Sequence, residues 1–281
     1  MTRSLPRYVT ILVFGLLVTV LHFQIAHKKP ELEQGVACYE EAIYPKALEH
    51  LHQAVALDPS SIKGHYYLAL ASDAMCAPAE SCEPHTSTAV REYQKVLELD
   101  PAHKDALKNL ARLSWKNARF LESEKLYRLA ATLDPNDPEA LYGAAALTWQ
   151  RAYRELISEK IRLGLKPGKP LIGLSSCAEV RRKTLGSVEE AITLLNKSLQ
   201  FAKYEEIQTY LAVSYMLRAE IQCHDATAYK RDRQAEEGWW NSACLTYHGP
   251  SDLTNPRRWR WLPGQPPPPP GRGDKCSWFD K

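Results

Sequence analysis

The sequence lacks an excess of charge of either sign and the short motifs that mark common enzymes. It carries 36 lysines and arginines against 33 aspartates and glutamates, a net charge of +3. This balance gives no reason to expect a nucleic acid as partner. Glycine is scarce, with 13 in 281 residues, and the sequence has no glycine-rich phosphate loop, HExxH pair or Gly-x-Ser-x-Gly elbow. We therefore expect a protein that is not an enzyme and that holds neither a cofactor nor a metal.

One uncharged apolar stretch stands at the N-terminus, from Tyr8 to Ile25. A helix of this length covers about 27 Å, close to the thickness of the hydrocarbon layer of a bilayer. Small residues that would direct cleavage are sparse after it, so residues 1–27 are predicted to form a membrane anchor, with a cleaved signal segment as the alternative. We expect a single-pass membrane protein whose following domain lies on the periplasmic or extracytoplasmic side. The alternative is a protein secreted to the periplasm.

The tripeptide Leu-Asp-Pro recurs at residues 57–59, 99–101 and 133–135, and the last two copies are 34 residues apart. Each proline is expected to end a helix, because proline lacks the N–H that continues the ladder. Small and large residues also recur at matching sites upstream of each proline. In the first copy these are Ala47, Leu51 and Ala54; in the third they are Ser123, Tyr127 and Ala130.

A period of 34 residues with this pattern resembles the tetratricopeptide repeat (TPR) family, whose unit is a pair of antiparallel helices. The resemblance implies an all-α solenoid of about five helical hairpins. Three hairpins are expected within residues 28–137, the second with an eight-residue insertion, and two degenerate ones within 138–246. Around Cys177–Arg181 and Cys223–Asp225 the chain also resembles uncharacterised bacterial cell-envelope TPR proteins.

The last segment, residues 247–281, is rich in proline and contains the unbroken run Pro266–Pro270. Such a run favours the polyproline II conformation, and the segment is predicted to be a disordered extension. The alternative is a ligand for an aromatic-lined groove on another protein.

The resemblance also implies a concave groove, lined by the first helix of each hairpin, that binds a protein or peptide. Mapped onto this sequence, the groove positions predict a stripe of aromatic rings together with two cations. The predicted peptide-binding residues are Tyr39, Tyr66, Lys108, Arg112, Trp115, Tyr142, Trp149 and Tyr210. Lys108 and Arg112 are four residues apart on one helix face, so both could meet a single carboxylate.

Seven cysteines leave at least one thiol unpaired. Cys177 and Cys223 should lie at the same level of two antiparallel helices, so a disulfide is predicted there if the compartment is oxidising. Cys76 and Cys82 are close enough in sequence for a second bridge. A metal site formed by these two cysteines and His85 is a weaker alternative, since no fourth ligand is evident.

The preferred function is that of a membrane-tethered scaffold that binds a protein or peptide segment in its concave groove. The alternative is a structural or assembly subunit of an envelope complex, acting through its convex face or its proline-rich tail. A metal- or thiol-dependent enzyme centred on Cys76–His85 is the remote third hypothesis.

Overall fold

The structure, a computed structural model, describes residues 30–76, 82–165 and 169–247. These residues form helices joined by short turns and contain no strand. The first helix, α1, covers residues 30–40. The others follow as α2 (Tyr44–Leu57), α3 (Ile62–Ala74), α4 (Glu83–Leu99), α5 (Lys104–Lys116), α6 (Phe120–Leu133), α7 (Pro138–Arg162), α8 (Cys177–Phe201), α9 (Glu205–Glu220) and α10 (Ala226–Tyr247). The predicted all-α class is confirmed for this part of the chain.

The predicted anchor, residues 1–27, lies outside the described residues, as does the predicted tail apart from its first residue. None of the helices in the described ranges is both long and apolar enough to cross a membrane.

The three Leu-Asp-Pro tripeptides form the same corner each time. At the ends of α2, α4 and α6, the backbone N–H of Asp58, Asp100 and Asp134 donates to the carbonyl oxygen four residues earlier. Each aspartate side chain also accepts a hydrogen bond from the backbone N–H two residues later, at 3.3, 3.1 and 3.2 Å respectively. The aspartate thus closes one helix and shapes the turn, and the proline that follows it cannot continue the helix.

The chain divides into two compact units, up to Leu110 and from Ala111 onward, and the division falls within α5. In the first unit α3 packs against both α2 and α4. The buried residues Ala47, Leu51, Leu68 and Ala71 form the core between α2 and α3. A Cβ atom on Gly35 of α1 would come within 2.6 Å of Leu51, so only glycine allows α1 to approach α2 this closely.

The second unit is built around α7, which packs against α6, α8 and α9. Every residue from 140 to 150 of this helix is buried. Where α6 and α7 meet, a Cβ atom on Gly143 would lie 2.6 Å from the ring of Tyr127. The second unit therefore buries this part of α7 on all sides, whereas exposed and buried positions alternate from residue 151 to residue 162.

The segment between α7 and α8 is tied to the end of α9. Gly164, with φ of +64°, follows α7 and ends it. The backbone N–H of Leu171 donates to the carbonyl of Glu220, and that of Gly173 donates to the carbonyl of Cys223. The side chains of Lys160 and Glu220 form a buried ion pair beside them. Burial raises the pKa of Glu220, and the neighbouring Lys160 opposes this rise.

Two disulfides cross-link the described residues. Cys177 at the start of α8 is joined to Cys223 after α9, with a Cα–Cα distance of 5.5 Å. Cys76 and Cys82, on either side of the insertion in the second hairpin, are joined with a Cα–Cα distance of 5.3 Å. Because their sulfurs are bonded to each other, Cys76 and Cys82 offer no thiolate to a metal. The described residues contain no group of three or more histidine, cysteine or acidic side chains suited to a metal ion.

Candidate functional site

Three tyrosine rings in the first unit form a partly exposed row that we call the tyrosine row: Tyr39, Tyr67 and Tyr66. The Tyr39 ring on α1 meets Tyr67 on α3 edge to face, with centroids 5.6 Å apart. Tyr67 meets Tyr66 in the same way at 5.9 Å. Further rings contact the two ends of the row, Tyr44 beside Tyr39 and His103 beside Tyr66. The row thus joins aromatic side chains from two hairpins into one surface.

Charged side chains border the tyrosine row. The ammonium group of Lys63 lies 5.7 Å from the centroid of the Tyr67 ring, within the range of a cation–π contact. Lys108 on α5 is 3.4 Å from the carboxylate of Asp105. Burial raises the pKa of Tyr66 to about 12, and the negative charge of Asp105 adds to this rise while Lys108 opposes it. The row is therefore apolar along its rings and polar along its edge.

Buried polar contacts hold α3 behind the tyrosine row. His65 precedes Tyr66 in the chain and is buried. Its Nδ1 lies 2.6 Å from the carboxylate of Glu92 on α4, and its Nε2 lies 3.0 Å from the carbonyl oxygen of Pro59. Because these contacts fix the backbone next to Tyr66 and Tyr67, both rings are presented by a rigid helix rather than by a loop.

The structure corrects the expected aromatic groove for four of its members. Trp115, Tyr142, Trp149 and Tyr210 have exposed fractions between 1% and 7%, and all belong to the hydrophobic core of the second unit. Tyr142 and Trp149 do not form an open surface, because Tyr210 of α9 packs against both of them. Of the predicted aromatic residues, only Tyr39 and Tyr66 are partly exposed.

The buried aromatics make specific contacts with one another. The Tyr210 ring on α9 lies edge to face against Tyr142 and Trp149 of α7, at 5.4 and 5.7 Å. The indole N–H of Trp149 donates to the carbonyl of Val213 at 3.2 Å. Burial raises the pKa of Tyr142 and of Tyr210 well above the ordinary value, because the phenolate would lose its hydration. These rings therefore connect α7 to α9 and stabilise the second unit.

The two predicted cations are both partly exposed. Lys108 contributes to the edge of the tyrosine row, as described above. Arg112 lies in the second unit, where its positive charge opposes the rise in the pKa of Tyr127. Sequence reasoning missed Tyr67, because it assigned only one of two adjacent tyrosines to the groove face. The consecutive pair Tyr66–Tyr67 was the available signal, since neighbouring residues on a helix can both border one surface.

No protein-family model matches the sequence, and no curated protein matches it. Solved structures do match. A crystal structure of MamA protein shares 11% identity with a TM-score of 0.52, over 78% of this chain and 91% of that chain. MamA from Desulfovibrio magneticus RS-1, residues 41 to the end, shares 13% identity with a TM-score of 0.52, over 80% and 98%.

YrrB, a TPR protein with an unusual peptide-binding site, shares 14% identity with a TM-score of 0.50, over 80% of this chain and 87% of that chain. Identities this low give information about the fold alone. The chain is nevertheless similar to these proteins along most of their length, and its last two Leu-Asp-Pro corners are 34 residues apart, the period expected of such repeats. The described part of this chain has the all-helical fold of tetratricopeptide repeat proteins.

Proposed function

We propose that this protein is a non-catalytic scaffold that binds a protein or peptide segment through the tyrosine row of its first unit. The observation that supports this most directly is the row itself, three partly exposed rings in mutual contact on two rigid helices. Tyrosine and tryptophan dominate binding surfaces, because they offer a large apolar area and lose little rotamer freedom on binding.

The edge of the row supplies polar partners for such a segment. The ammonium groups of Lys63 and Lys108 and the carboxylate of Asp105 stand beside the rings. A bound segment would pack side chains between the tyrosines and direct its polar groups to this edge. The buried aromatic residues of the second unit take no part, and they support the fold instead.

The proposal is tested by affinity capture from membranes followed by mass spectrometry. We compare the unmodified protein with the double variant Tyr39→Ala/Tyr66→Ala. A partner that uses the row is lost, or weakened at least tenfold in a direct titration, because the double variant removes two of the three rings that would contact it. The matched control is Tyr204→Ala, which removes a half-exposed tyrosine remote in sequence from the row. Unchanged binding of every partner by the double variant would contradict the proposal.

We further propose that residues 1–27 tether the scaffold to a membrane, with the repeats on the extracytoplasmic side. The uncharged stretch Tyr8–Ile25 supports the tether, and the pairing of Cys177 with Cys223 suits an oxidising compartment. A topology reporter fused after Lys281 tests the side. Release of the protein by carbonate washing of membranes would count against the tether.

A second function, that of an assembly subunit, is favoured by apolar residues on α6. Leu129 and Leu133 are four residues apart on one helix face and are 44% and 41% exposed. Two variants separate the functions: Leu129→Ser/Leu133→Ser, and a chain lacking residues 248–281. If either variant loses all partners while the Tyr39→Ala/Tyr66→Ala variant keeps them, the assembly function replaces the first.

A further inference from the structure

The two disulfides differ in exposure and in the length of the loop that each closes. Cys177 and Cys223 are 0% and 6% exposed, and they are 46 residues apart in the sequence. Cys76 and Cys82 are both partly exposed, and they are six residues apart. A disulfide that closes a short loop constrains the unfolded chain less, and an exposed disulfide can be reached by an external thiol.

The surroundings of Cys76 and Cys82 also favour the reduced form. The hydroxyl of Thr86 on α4 lies 3.4 Å from the Sγ of Cys76. Since a bonded disulfide sulfur carries no hydrogen, the hydroxyl is the donor, and it would donate more strongly to a thiolate. Cys82 immediately precedes the first residue of α4, a helix of 17 residues, at the end where exposed N–H groups stabilise negative charge.

From these contacts we propose that Cys76 and Cys82 form a thiol–disulfide exchange site, whose partner is a dithiol of a protein or of a small molecule. The disulfide between Cys177 and Cys223 is instead a permanent structural link. This activity is separate from binding at the tyrosine row and does not depend on it.

The exchange proceeds in two displacements. A thiolate of the dithiol attacks the Sγ of Cys82, the bond between Cys76 and Cys82 breaks, and its electron pair leaves with the Sγ of Cys76, which accepts the hydrogen bond of Thr86. The second thiolate of the dithiol then attacks the dithiol sulfur of the mixed disulfide and releases Cys82 as a thiolate at the start of α4. The dithiol is oxidised to a disulfide, the cysteine pair gains two electrons, and the two protons of the dithiol pass to the cysteines.

The first test titrates the full-length protein with dithiothreitol, followed by alkylation and peptide mapping. We expect Cys76–Cys82 to be reduced at a midpoint concentration roughly tenfold or more below that of Cys177–Cys223, since its sulfurs can be reached in the folded protein, whereas the buried pair is reached only when the second unit opens. The protein as isolated is used without substitution, so misfolding of a variant cannot obscure the result. Midpoints within about twofold of each other, or in reverse order, would overturn the proposal.

The second test measures the rate at which the Cys76–Cys82 bond is reduced in Thr86→Val. Loss of the hydroxyl should slow reduction severalfold, because the departing thiolate of Cys76 loses its donor. The matched control is Thr88→Val on the same helix, whose hydroxyl donates to the carbonyl of Pro84. Equal rates in the two variants would remove Thr86 from the site, and slow reduction in the control alone would contradict the assignment.

Discussion

At the scale of single residues, Tyr210 places a hydroxyl in the core of the second unit. Its oxygen is fully buried and has no hydrogen-bond partner within the described ranges. An unpaired buried hydroxyl costs about 1–3 kcal/mol, so replacing it by a hydrogen atom should help the fold. The ring of Tyr210 therefore stabilises the second unit by packing against Tyr142 and Trp149, whereas its buried hydroxyl lowers the stability of the folded state.

We expect Tyr210→Phe to raise the free energy of unfolding by about 1 kcal/mol at pH 7. The gain should grow above pH 10. Because burial raises the folded-state pKa of Tyr210 above its unfolded value of about 10, the stability of the unmodified protein is lost as the pH rises past 10. Phenylalanine does not ionise and avoids this loss. Urea unfolding at pH 7 and pH 11 measures both effects.

The control for this experiment is Tyr204→Phe, since Tyr204 is 49% exposed. It should change stability by less than about 0.5 kcal/mol at pH 7. If Tyr210→Phe instead destabilises the protein at pH 7, its hydroxyl makes a bond that matters, and our account of this residue fails.

At the scale of helices, α6 can approach α7 closely because Gly143 has no side chain. A Cβ atom at Gly143 would overlap the ring of Tyr127 at 2.6 Å, and this ring is buried, with Tyr127 only 3% exposed. We predict that Gly143→Ala lowers the free energy of unfolding by about 1–3 kcal/mol, although alanine is the better helix former. Thermal or urea unfolding followed by circular dichroism measures the change.

The matched substitution is Gly186→Ala in the interior of α8, where a Cβ atom meets nothing within 4 Å. There the helix propensity of alanine acts alone, and stability should rise by about 0.5–1 kcal/mol. Opposite signs for the same chemical change would identify close packing as the cause. If both variants stabilise the protein, the Tyr127 ring can move away from residue 143 at little cost in free energy.

The helices of the first repeats could be predicted from the sequence, whereas the packing on the later ones could not. The Leu-Asp-Pro corners and the small and large sites determine where α2, α4 and α6 end, because they act within a few residues. Repeat positions also predict which helix face Tyr142 and Tyr210 occupy. They do not predict what covers that face, and in the degenerate hairpins α9 covers it.

Contacts between distant residues left no periodic signal in the sequence. The ion pair of Lys160 and Glu220 joins residues 60 positions apart, and neither belongs to a repeat site. At the tyrosine row, the repeat positions predicted Tyr39, Tyr66 and Lys108. Tyr67 was not predicted, because the repeat pattern assigns one residue per helical turn to the groove face. The exposed surface also includes residues adjacent to those positions.

At the scale of the whole molecule, the bond between Cys177 and Cys223 restrains the longest disulfide loop among the described residues. Chain entropy over 46 residues predicts that Cys177→Ser/Cys223→Ser costs about 4 kcal/mol. The effect should be local. Amide hydrogen exchange should accelerate in residues 169–223 and stay unchanged in residues 44–74, which belong to the first unit. Equal acceleration in both regions would contradict this expectation.

The corner shared by α2, α4 and α6 has a consequence for how such a chain can evolve or be redesigned. Each corner repeats the same aspartate, proline and backbone hydrogen bonds, so the same turn forms in three different surroundings. Duplicating the segment from residue 102 to residue 135 would therefore insert a new hairpin with a compatible junction at both ends. The array of hairpins could therefore be lengthened by duplication of this segment, with no new type of turn required.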